Sequence, residues 1–207
     1  SQNPVQDALD LLGGEKPIGE FHYSASGGTH ILSAILAKAT GQSTLDFAAE
    51  HLFWPLGIVV PRSIVLKSAE EHSYVMNDRT TRGWVVDPQG NNMASWGLFL
   101  TPGEMTSIGQ LYLNGGVWNG GQIVSREWIL ESTREQSRCA QWGNLAYGYL
   151  WWIIDEDSFA ALGDGGNVIS VNTKKNMVIS IASLFVPDAK DRIAWIKKDI
   201  EPMFERM

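Results

Sequence analysis

The sequence has 207 residues, 44% of them hydrophobic and 19% charged, which suits a folded protein with a sizeable core. The formal net charge of −7 argues against nucleic acid as a partner, because such a surface needs clustered basic side chains. The sequence also lacks an apolar run of the roughly 18 residues that a membrane span requires.

The first forty residues predict two helices separated by a polar loop. Val5 to Leu12 gives a short apolar helix. From Thr29 onwards, apolar residues recur at helical spacing, and Gly41 ends this second helix. The segment Tyr23-Ser24-Ala25-Ser26-Gly27 precedes it directly. Small polar residues that lead into an amphipathic helix are one common way to hold a reactive side chain at a cleft.

The next sixty residues predict one further helix and then a long loop. Ser43 or Thr44 can cap the helix, which ends at Pro55-Leu56-Gly57. Residues 58–100 show little periodicity, and the stretch GWVVDPQGNNMASWGLFL, residues 83–100, is expected to be a long, turn-rich loop. Loops of that length in a compact domain are usually functional or disordered.

Two helix starts follow with clear local signals. In Thr101-Pro102-Gly103-Glu104, the threonine caps, the proline takes the first helical position and the glutamate completes a capping box. This helix should end at Asn114-Gly115-Gly116. Ser125 caps a shorter helix that runs through Trp128.

After residue 140 the sequence changes to short apolar, β-branched and aromatic runs between turn residues. The runs YGYLWWII, FAALG, NVISVN and MVISIASLF predict three or four antiparallel strands. Asp188 should cap a last helix that turns Ile193, Ile196, Ile200 and Phe204 to one face. Helices, then a sheet, then a closing helix predict an α+β fold. We expect one domain over 1–207, with a mainly helical lobe at 1–140 and the sheet and last helix at 141–207.

Three parts of the chain resemble the serine β-lactamase-like family, which includes class C β-lactamases, low-molecular-weight penicillin-binding proteins and related esterases. The first part is Tyr23 to Gly27 with the helix that follows it and the later FWPLG. The second is the stretch SWGLFLTPGEMTSIGQLYLNGGVWNGGQIVSREWI, residues 95–129. The third consists of the runs YGYLWWI, GDGGNVISV and MVISIASL. The resemblance covers nearly the whole chain from about residue 20. It implies a β-lactamase/transpeptidase-like fold and an extracytoplasmic bacterial setting.

The resemblance also implies the chemistry. The family uses a Ser-x-x-Lys nucleophile, a Tyr-x-Asn or Ser-x-Asn element, and a Lys-Thr-Gly or His-x-Gly element on an edge strand. It implies that Tyr23 is a catalytic proton relay and that Ala25 stands where the asparagine is expected. Asp164-Gly165-Gly166 stands where Lys-Thr-Gly is expected, and with Asn167 it would line the oxyanion and substrate side.

The sequence departs from the family pattern at the nucleophile. Ser-x-x-Lys occurs nowhere in these 207 residues. We therefore expect the C-terminal portion of a family domain, incomplete at its N-terminus, with the nucleophile outside this chain. A tyrosine with an ordinary pKa of about 10 is a poor base at neutral pH without a neighbouring cation, so the chain alone should be inactive. The complete protein would hydrolyse an ester or amide, β-lactam or peptide-like, through an acyl-serine.

Several alternatives stay open on the sequence alone. The protein could instead be a non-catalytic family member that binds a peptide or cell-wall fragment. Asp164 either occupies a hairpin turn or presents a carboxylate to the site, which would repel anionic substrates such as penicillins. Ser24 is expected to be a turn or helix-capping hydroxyl rather than a nucleophile.

The expected partners are few. A small-molecule or peptide substrate is expected, and an uncovered sheet edge predicts a homodimer. Cofactors and metals are not expected: the single cysteine, Cys139, has no His or Cys beside it, and the histidines form no pair with metal-ligand spacing. The histidines are His22, His30 and His51, the last two on helices, and His72 in a loop.

Overall fold

The computed structural model describes residues 3–12, 19, 21, 23–24, 27–184 and 190–204. The chain divides into two compact units, Ser1–Leu100 and Thr101–Met207. The elements of the first unit are α1 (Pro4–Leu12), α2 (Gly27–Thr40), α3 (Thr44–Ala48) with a π-helical turn (Ala49–Phe53), β1 (Ser63–Val65), α4 (Ala69–Asn77), β2 (Gly83–Val86) and β3 (Leu98–Phe99).

Residues 83–100, predicted to be a long loop, contain the strands β2 and β3. With β1 they form a three-stranded sheet of order β1-β2-β3, in which β1 runs parallel and β3 antiparallel to β2, and α4 lies between β1 and β2 in the chain. The prediction was wrong because these strands have two to four residues, too few for an alternating pattern to show. His72, expected in a loop, therefore lies on α4.

The predicted start of α3 is confirmed, and of the two candidate caps, Ser43 and Thr44, the structure has Ser43. Ser43 is the N-cap, and its side chain accepts a hydrogen bond from the Asp46 N–H at 3.0 Å. Leu45 and Phe53 on the inner side of this helical stretch are buried, and Ile58 and Val85 are buried in the same unit. Apolar burial of this kind is the main stabilising contribution to the unit.

The second unit contains one long helix, a small hairpin, a large sheet and a closing helical stretch. Its elements are α5 (Pro102–Leu113), β4 (Val117–Trp118), β5 (Gly121–Gln122), α6 (Arg126–Ser132), β6 (Ser137–Cys139), β7 (Leu145–Tyr147), β8 (Trp152–Ile153), β9 (Ser158–Gly163), β10 (Asn167–Asn172), β11 (Met177–Ile181), α7 (Arg192–Trp195), a π-helical turn (Ile196–Ile200) and α8 (Glu201–Phe204).

The large sheet has six strands in the order β11-β10-β9-β8-β7-β6, and each neighbouring pair is antiparallel. The sequence predicted three or four. The run YGYLWWII was counted as one strand, but the chain reverses at Gly148–Leu150, where the Gly148 N–H donates to the Trp151 carbonyl and Leu150 has a φ of +65°. The strand β6 was missed because Ser137-Arg138-Cys139 carries no apolar signal.

Helix α5 covers one face of this sheet at strands β10 and β11. Its capping box is confirmed, because Thr101 Oγ1 accepts from the Glu104 N–H while the Glu104 carboxylate accepts from the Thr101 N–H at 2.7 Å. Gly109 makes the close approach possible, since a Cβ there would lie 2.5 Å from Val178 Cγ1 and 2.8 Å from Ile169 Cγ2. The contact is apolar and tightly packed.

The closing helical stretch starts at α7, with Asp191 as its cap: Asp191 Oδ1 accepts from the Ala194 N–H at 3.0 Å. Asp188, the predicted cap, lies outside the described residues. Of the predicted inner face, Ile196 is buried and Phe204 is exposed. The boundary between the two compact units falls at residue 100, so α5 and α6 lie in the same unit as the sheet. The predicted lobe boundary was residue 140.

Candidate active site

Tyr23 lies in the first unit just before α2 and is partly buried. The next residue, Ser24, uses its Oγ to accept a hydrogen bond from the N–H of Gly27 at 3.0 Å, and Gly27 is the first residue of α2. Ser24 therefore satisfies one of the N–H groups that a helix start leaves unpaired, which confirms the prediction of a capping hydroxyl. Ala25 lies outside the described residues.

A buried histidine–aspartate pair connects α2 to the segment that follows β2. His30 Nε2 lies 3.1 Å from Asp87 Oδ2, and both side chains are almost fully buried. The same carboxylate accepts hydrogen bonds from the Gln89 N–H at 2.9 Å, the Asn91 N–H at 2.8 Å and Asn91 Nδ2 at 3.0 Å. Asp87 thus closes its own turn and anchors the helix. This pair could not be predicted from the sequence, because its members are 57 residues apart.

A second set of buried hydrogen bonds ties α2 to α3. Ser33 Oγ lies 2.7 Å from Thr44 Oγ1 and donates to the Asn92 carbonyl at 2.7 Å. The Asn92 side-chain oxygen accepts from the Leu45 N–H at 2.9 Å. These bonds fix the position of α2 relative to α3, although Asn92 Nδ2 is buried without a partner among the described residues. The helix that follows Tyr23 is therefore firmly placed within its unit.

The other predicted site segment lies in the second unit, at the turn between β9 and β10. Asp164–Gly166 form a single 3₁₀ turn in which Gly165 and Gly166 have φ values of +73° and +95°. Residues other than glycine rarely adopt this backbone conformation. Asn167 Nδ2 donates to the Asp164 carbonyl at 3.0 Å, and Asn167 Oδ1 accepts from the Ser183 N–H at 2.8 Å. The amide of Asn167 therefore holds the turn together, whereas Asp164 is exposed.

The family pattern implied that this segment lies on an edge strand, but the turn leads into a central strand of the large sheet. β10 lies between β9 and β11, and it pairs with both. A central strand has its backbone groups occupied by the ladders on either side. The backbone donors that this segment can offer a ligand are accordingly those of the turn itself.

Arg192, which the sequence did not single out, packs against this turn. A Cβ on Gly166 would lie 2.7 Å from Arg192 Nε and 3.0 Å from Nη2, so any other residue at 166 would displace the guanidinium. The guanidinium carbon lies 5.9 Å from the centroid of the Trp195 ring. Arg192 Nε is buried and lacks a hydrogen-bond partner in the part of the chain that the structure describes.

The predicted residues of the turn and Arg192 lie close to one another in the second unit. Tyr23 lies in the first unit. Among the described residues, no group of three His, Cys, Asp or Glu side chains is arranged to hold a metal ion. Within the same ranges, no helix is long and apolar enough to cross a membrane. An open groove between β1 and α4 contains none of the predicted site residues; it is lined by Ile64, Val65, Leu66, Lys67, Glu70, Glu71, Tyr74 and Val75.

The chain is similar to several known proteins. The family model described as Beta-lactamase matches residues 2–200. The 6-aminohexanoate-dimer hydrolase of Paenarthrobacter ureafaciens is 22% identical over 193 residues, which are 88% of this chain and 44% of that protein. This chain therefore spans less than half the length of that curated relative.

Solved structures share the arrangement of helices and sheet. A Bacillus anthracis protein assigned as a 6-aminohexanoate-dimer hydrolase superposes with a TM-score of 0.66 at 23% identity, over 94% of this chain and 47% of that one. A penicillin-binding protein homologue from Caulobacter crescentus gives 0.62 at 12% identity, over 91% and 62% of the two chains. At such low identity the likeness shows the fold alone.

Proposed function

This chain belongs to the β-lactamase family and has its mixed helix-and-sheet fold, and from that premise we propose that it is part of a serine hydrolase of esters or amides. The nucleophile of this enzyme lies outside the chain, since Ser-x-x-Lys is absent from the sequence. The observation that carries the proposal is Tyr23, which stands directly before a helix fixed by buried hydrogen bonds.

The proposed role of Tyr23 is proton transfer. As a phenolate, Tyr23 takes the proton of the attacking serine hydroxyl and then passes it to the leaving group, with the lysine of Ser-x-x-Lys as the cation that lowers the tyrosine pKa. The serine oxygen bonds to the substrate carbonyl carbon, the leaving amine or alcohol departs, and water later releases the acyl group. The proposed role of the Asp164–Gly166 turn is contact with the substrate, through backbone N–H groups and the exposed carboxylate.

We propose that the substrate is a linear amide or ester rather than a penicillin. The curated relative is named for hydrolysis of the 6-aminohexanoate dimer. The exposed carboxylate of Asp164, where the family pattern has a cation, also disfavours recognition that relies on a cation at that position.

The test uses the protein expressed from its native start codon, with the 207-residue chain as control. Both are incubated with a fluorophosphonate probe and a labelled penicillin, and their intact masses are measured. We expect one fluorophosphonate adduct, on the long form. An adduct on the 207-residue chain would contradict a nucleophile outside it.

The role of Tyr23 is tested by replacement in the long form. Tyr23→Phe should lower kcat for an ester and for the 6-aminohexanoate dimer by about 100-fold or more, because general acid–base catalysis contributes that much. Tyr74→Phe, at an exposed tyrosine on α4, is the matched control and should leave kcat unchanged. An unchanged kcat in Tyr23→Phe would exclude the relay.

A non-catalytic binding protein is the second candidate. It is favoured by Ala25 and Asp164, which replace an amide and a cation of the family pattern. The absence of an adduct on either form, together with saturable binding of a peptide or cell-wall fragment, would establish this alternative.

We also propose that the chain forms a homodimer through a sheet edge. In the described part of the second unit the outer strands of the large sheet are β6 and β11, which leave backbone groups available for pairing. Sedimentation of the 207-residue chain should show a dimer at high concentration. A strictly monomeric species across the whole concentration range would contradict it.

A further inference from the structure

Helix α2 buries polar side chains and exposes large apolar ones. His30 and Ser33 are each 2% exposed, whereas Leu32 is 57% exposed and Ile35 is 56% exposed. A helix at the surface of a folded protein normally shows the opposite distribution, with its apolar side on the core. Part of the apolar spacing that predicts α2 in the sequence therefore belongs to a side of the helix that the described residues leave open.

The open side of α2 is a continuous stripe, which we call the outer face of α2. Gly28, Leu32, Ile35 and Ala39 follow the spacing i, i+4, i+7 and i+11, so they lie along one side of the helix. A Cβ on Gly28 would meet no atom within 4 Å beyond the backbone of its own helix, and Ala39 is exposed. Contiguous exposed apolar side chains of this kind mark an interaction surface.

The helix cannot rotate to bury its outer face within the first unit. His30 Nε2 lies 3.1 Å from Asp87 Oδ2, and Ser33 Oγ donates to the Asn92 carbonyl at 2.7 Å. A rotation about the helix axis would break both contacts and leave buried polar groups without partners, which costs free energy. The orientation of α2 is therefore fixed, and whatever packs on Leu32 and Ile35 lies outside the described residues.

We propose that the outer face of α2 is covered by the part of the protein upstream of Ser1, which carries the serine nucleophile. For the identity of that part, the proposal rests on the proposed function. The chain matches 44% of the curated relative, so more than half of such a protein lies outside the matched region. An upstream part of that size is large enough to supply the packing partner.

The position of Tyr23 indicates where the upstream part lies. Tyr23 is four residues before Gly27, the first residue of α2. Proton transfer requires the serine hydroxyl to come within hydrogen-bond reach of the tyrosine oxygen, so the segment with the serine must approach the beginning of α2. Gly28 lies there and, without a Cβ, lets another backbone come close. An upstream segment that presents apolar side chains to Leu32 and Ile35 satisfies both requirements.

The test measures how fast a thiol on the outer face reacts in two forms of the protein. Ile35→Cys is made in the 207-residue chain and in the long form, both are treated with a maleimide, and peptide mapping follows the label at residue 35. The native Cys139 is buried and contributes little background. Labelling should be rapid in the 207-residue chain and slower by about 100-fold or more in the long form, because a covered side chain reacts only when the structure opens locally.

The matched control is Leu130→Cys, at an exposed leucine on α6 in the second unit. This thiol should react equally fast in the two forms. Labelling of each variant in urea gives the intrinsic rate of its thiol, so that any remaining difference between the forms comes from the folded structure.

A second pair of variants needs no thiol chemistry. Ile35→Lys should leave the thermal midpoint of the 207-residue chain unchanged, because the side chain is exposed there. In the long form the same variant should lower the midpoint, since it would bury a charge in an apolar contact. Leu130→Lys should change neither midpoint.

Three results would overturn the proposal. The first is equal labelling of residue 35 in the two forms, and the second is an Ile35→Lys long form as stable as the unaltered one. The third is slow labelling of the 207-residue chain: if dilution makes it fast, a second copy covers the face, and if dilution has no effect, the chain's own residues do.

The labelling does not depend on catalysis, so it fails or succeeds separately from the serine-probe experiment. Protection of residue 35 in a long form that takes no fluorophosphonate would reject the hydrolase and keep the packing surface. An adduct on the long form together with equal labelling would keep the hydrolase and reject the packing surface.

Discussion

Two aspartate turns, at Asp87 in the first unit and at Asp164 in the second, use their carboxylates in opposite ways. In the first unit Asp87 is buried, accepts three hydrogen bonds from its own turn and a fourth contact from His30. In the second unit Asp164 is exposed and contributes only its carbonyl to the hydrogen bonds of its turn, which Asn167 closes instead. The first carboxylate is a structural group, and the second remains available to a ligand.

The contrast extends to how each unit is held together. The first unit buries polar side chains between its helices and the segment that follows β2, as the hydrogen bonds of Ser33 and Asn92 show. The second unit packs α5 on β10 and β11 through apolar contacts around Gly109, and its ion pairs with Lys197 and Arg138 lie at the surface. Loss of these buried polar groups of the first unit should therefore be costly, and loss of an exposed charge of the second unit should be cheap.

The largest effect is expected for Asp87→Ala. The substitution removes the acceptor of the buried His30 Nε2 and of three partly buried donors, the N–H groups of Gln89 and Asn91 and the Asn91 amide, which should lower the free energy of unfolding by about 3 kcal/mol. Urea unfolding measures the change, and amide hydrogen exchange in α2 locates it in the first unit.

Asp164→Ala is the matched control for Asp87→Ala, because it removes a carboxylate from an exposed turn. The change should stay within about 0.5 kcal/mol, as for other surface substitutions. Equal losses of unfolding free energy in the two variants would show that the two carboxylates contribute alike to stability.

Gly109→Ala should give the next largest effect, in the apolar contact of the second unit. The new Cβ would lie 2.5 Å from Val178 Cγ1 and 2.8 Å from Ile169 Cγ2, so helix and sheet must separate. Overpacking of this kind lowers stability by about 1–3 kcal/mol. Gly103→Ala, on the same helix, meets Thr101 Oγ1 at 4.0 Å and should be neutral or slightly stabilising.

Thermal or urea unfolding of the two glycine variants makes the measurement. If Gly109→Ala were as stable as Gly103→Ala, the close approach of α5 to the sheet would not be a source of stability.

What the sequence could predict follows from the range of the interactions. The capping box at Thr101 and Glu104 lies within four residues and was predicted fully. The α+β class, the family and most helices were also predicted, because periodic apolar spacing and the order of long segments carry that information. The short strands of 58–100 and the split at Gly148–Leu150 were missed, because each depends on pairing with distant residues.

The candidate site divides in the same way. The turn at Asp164–Gly166 was recognisable from its glycines, and Ser24 from its place before a helix. The contact of Arg192 with Gly166 and the pair of His30 with Asp87 join residues far apart in the sequence, so only the fold reveals them. The roles of Tyr23 and of residues 164–167 stay predictions.

The smallest effect should come from a surface ion pair, that of Asp155 with Lys197, which joins the turn before β9 to the closing helical stretch. Partial burial raises the pKa of Asp155, but hydrogen bonds from Lys197 and the Asp157 N–H outweigh it and hold the pKa below its ordinary value. A carboxyl with a lowered pKa in the folded state stabilises the protein above its unfolded pKa of about 4, and loses this effect as the pH falls through the folded value.

Asp155→Asn should therefore cost about 0.5 kcal/mol or less at neutral pH, since water screens an exposed pair, and nothing in strong acid. Unfolding of Asp155→Asn, Lys197→Met and the double variant at both pH values gives the coupling energy of the pair. A coupling as large as the Asp87→Ala loss, or one that persists in acid, would mean that the second unit also depends on its polar groups. A small coupling that disappears in acid would show that exposed charges of the second unit, Asp164 among them, can be changed without endangering the fold.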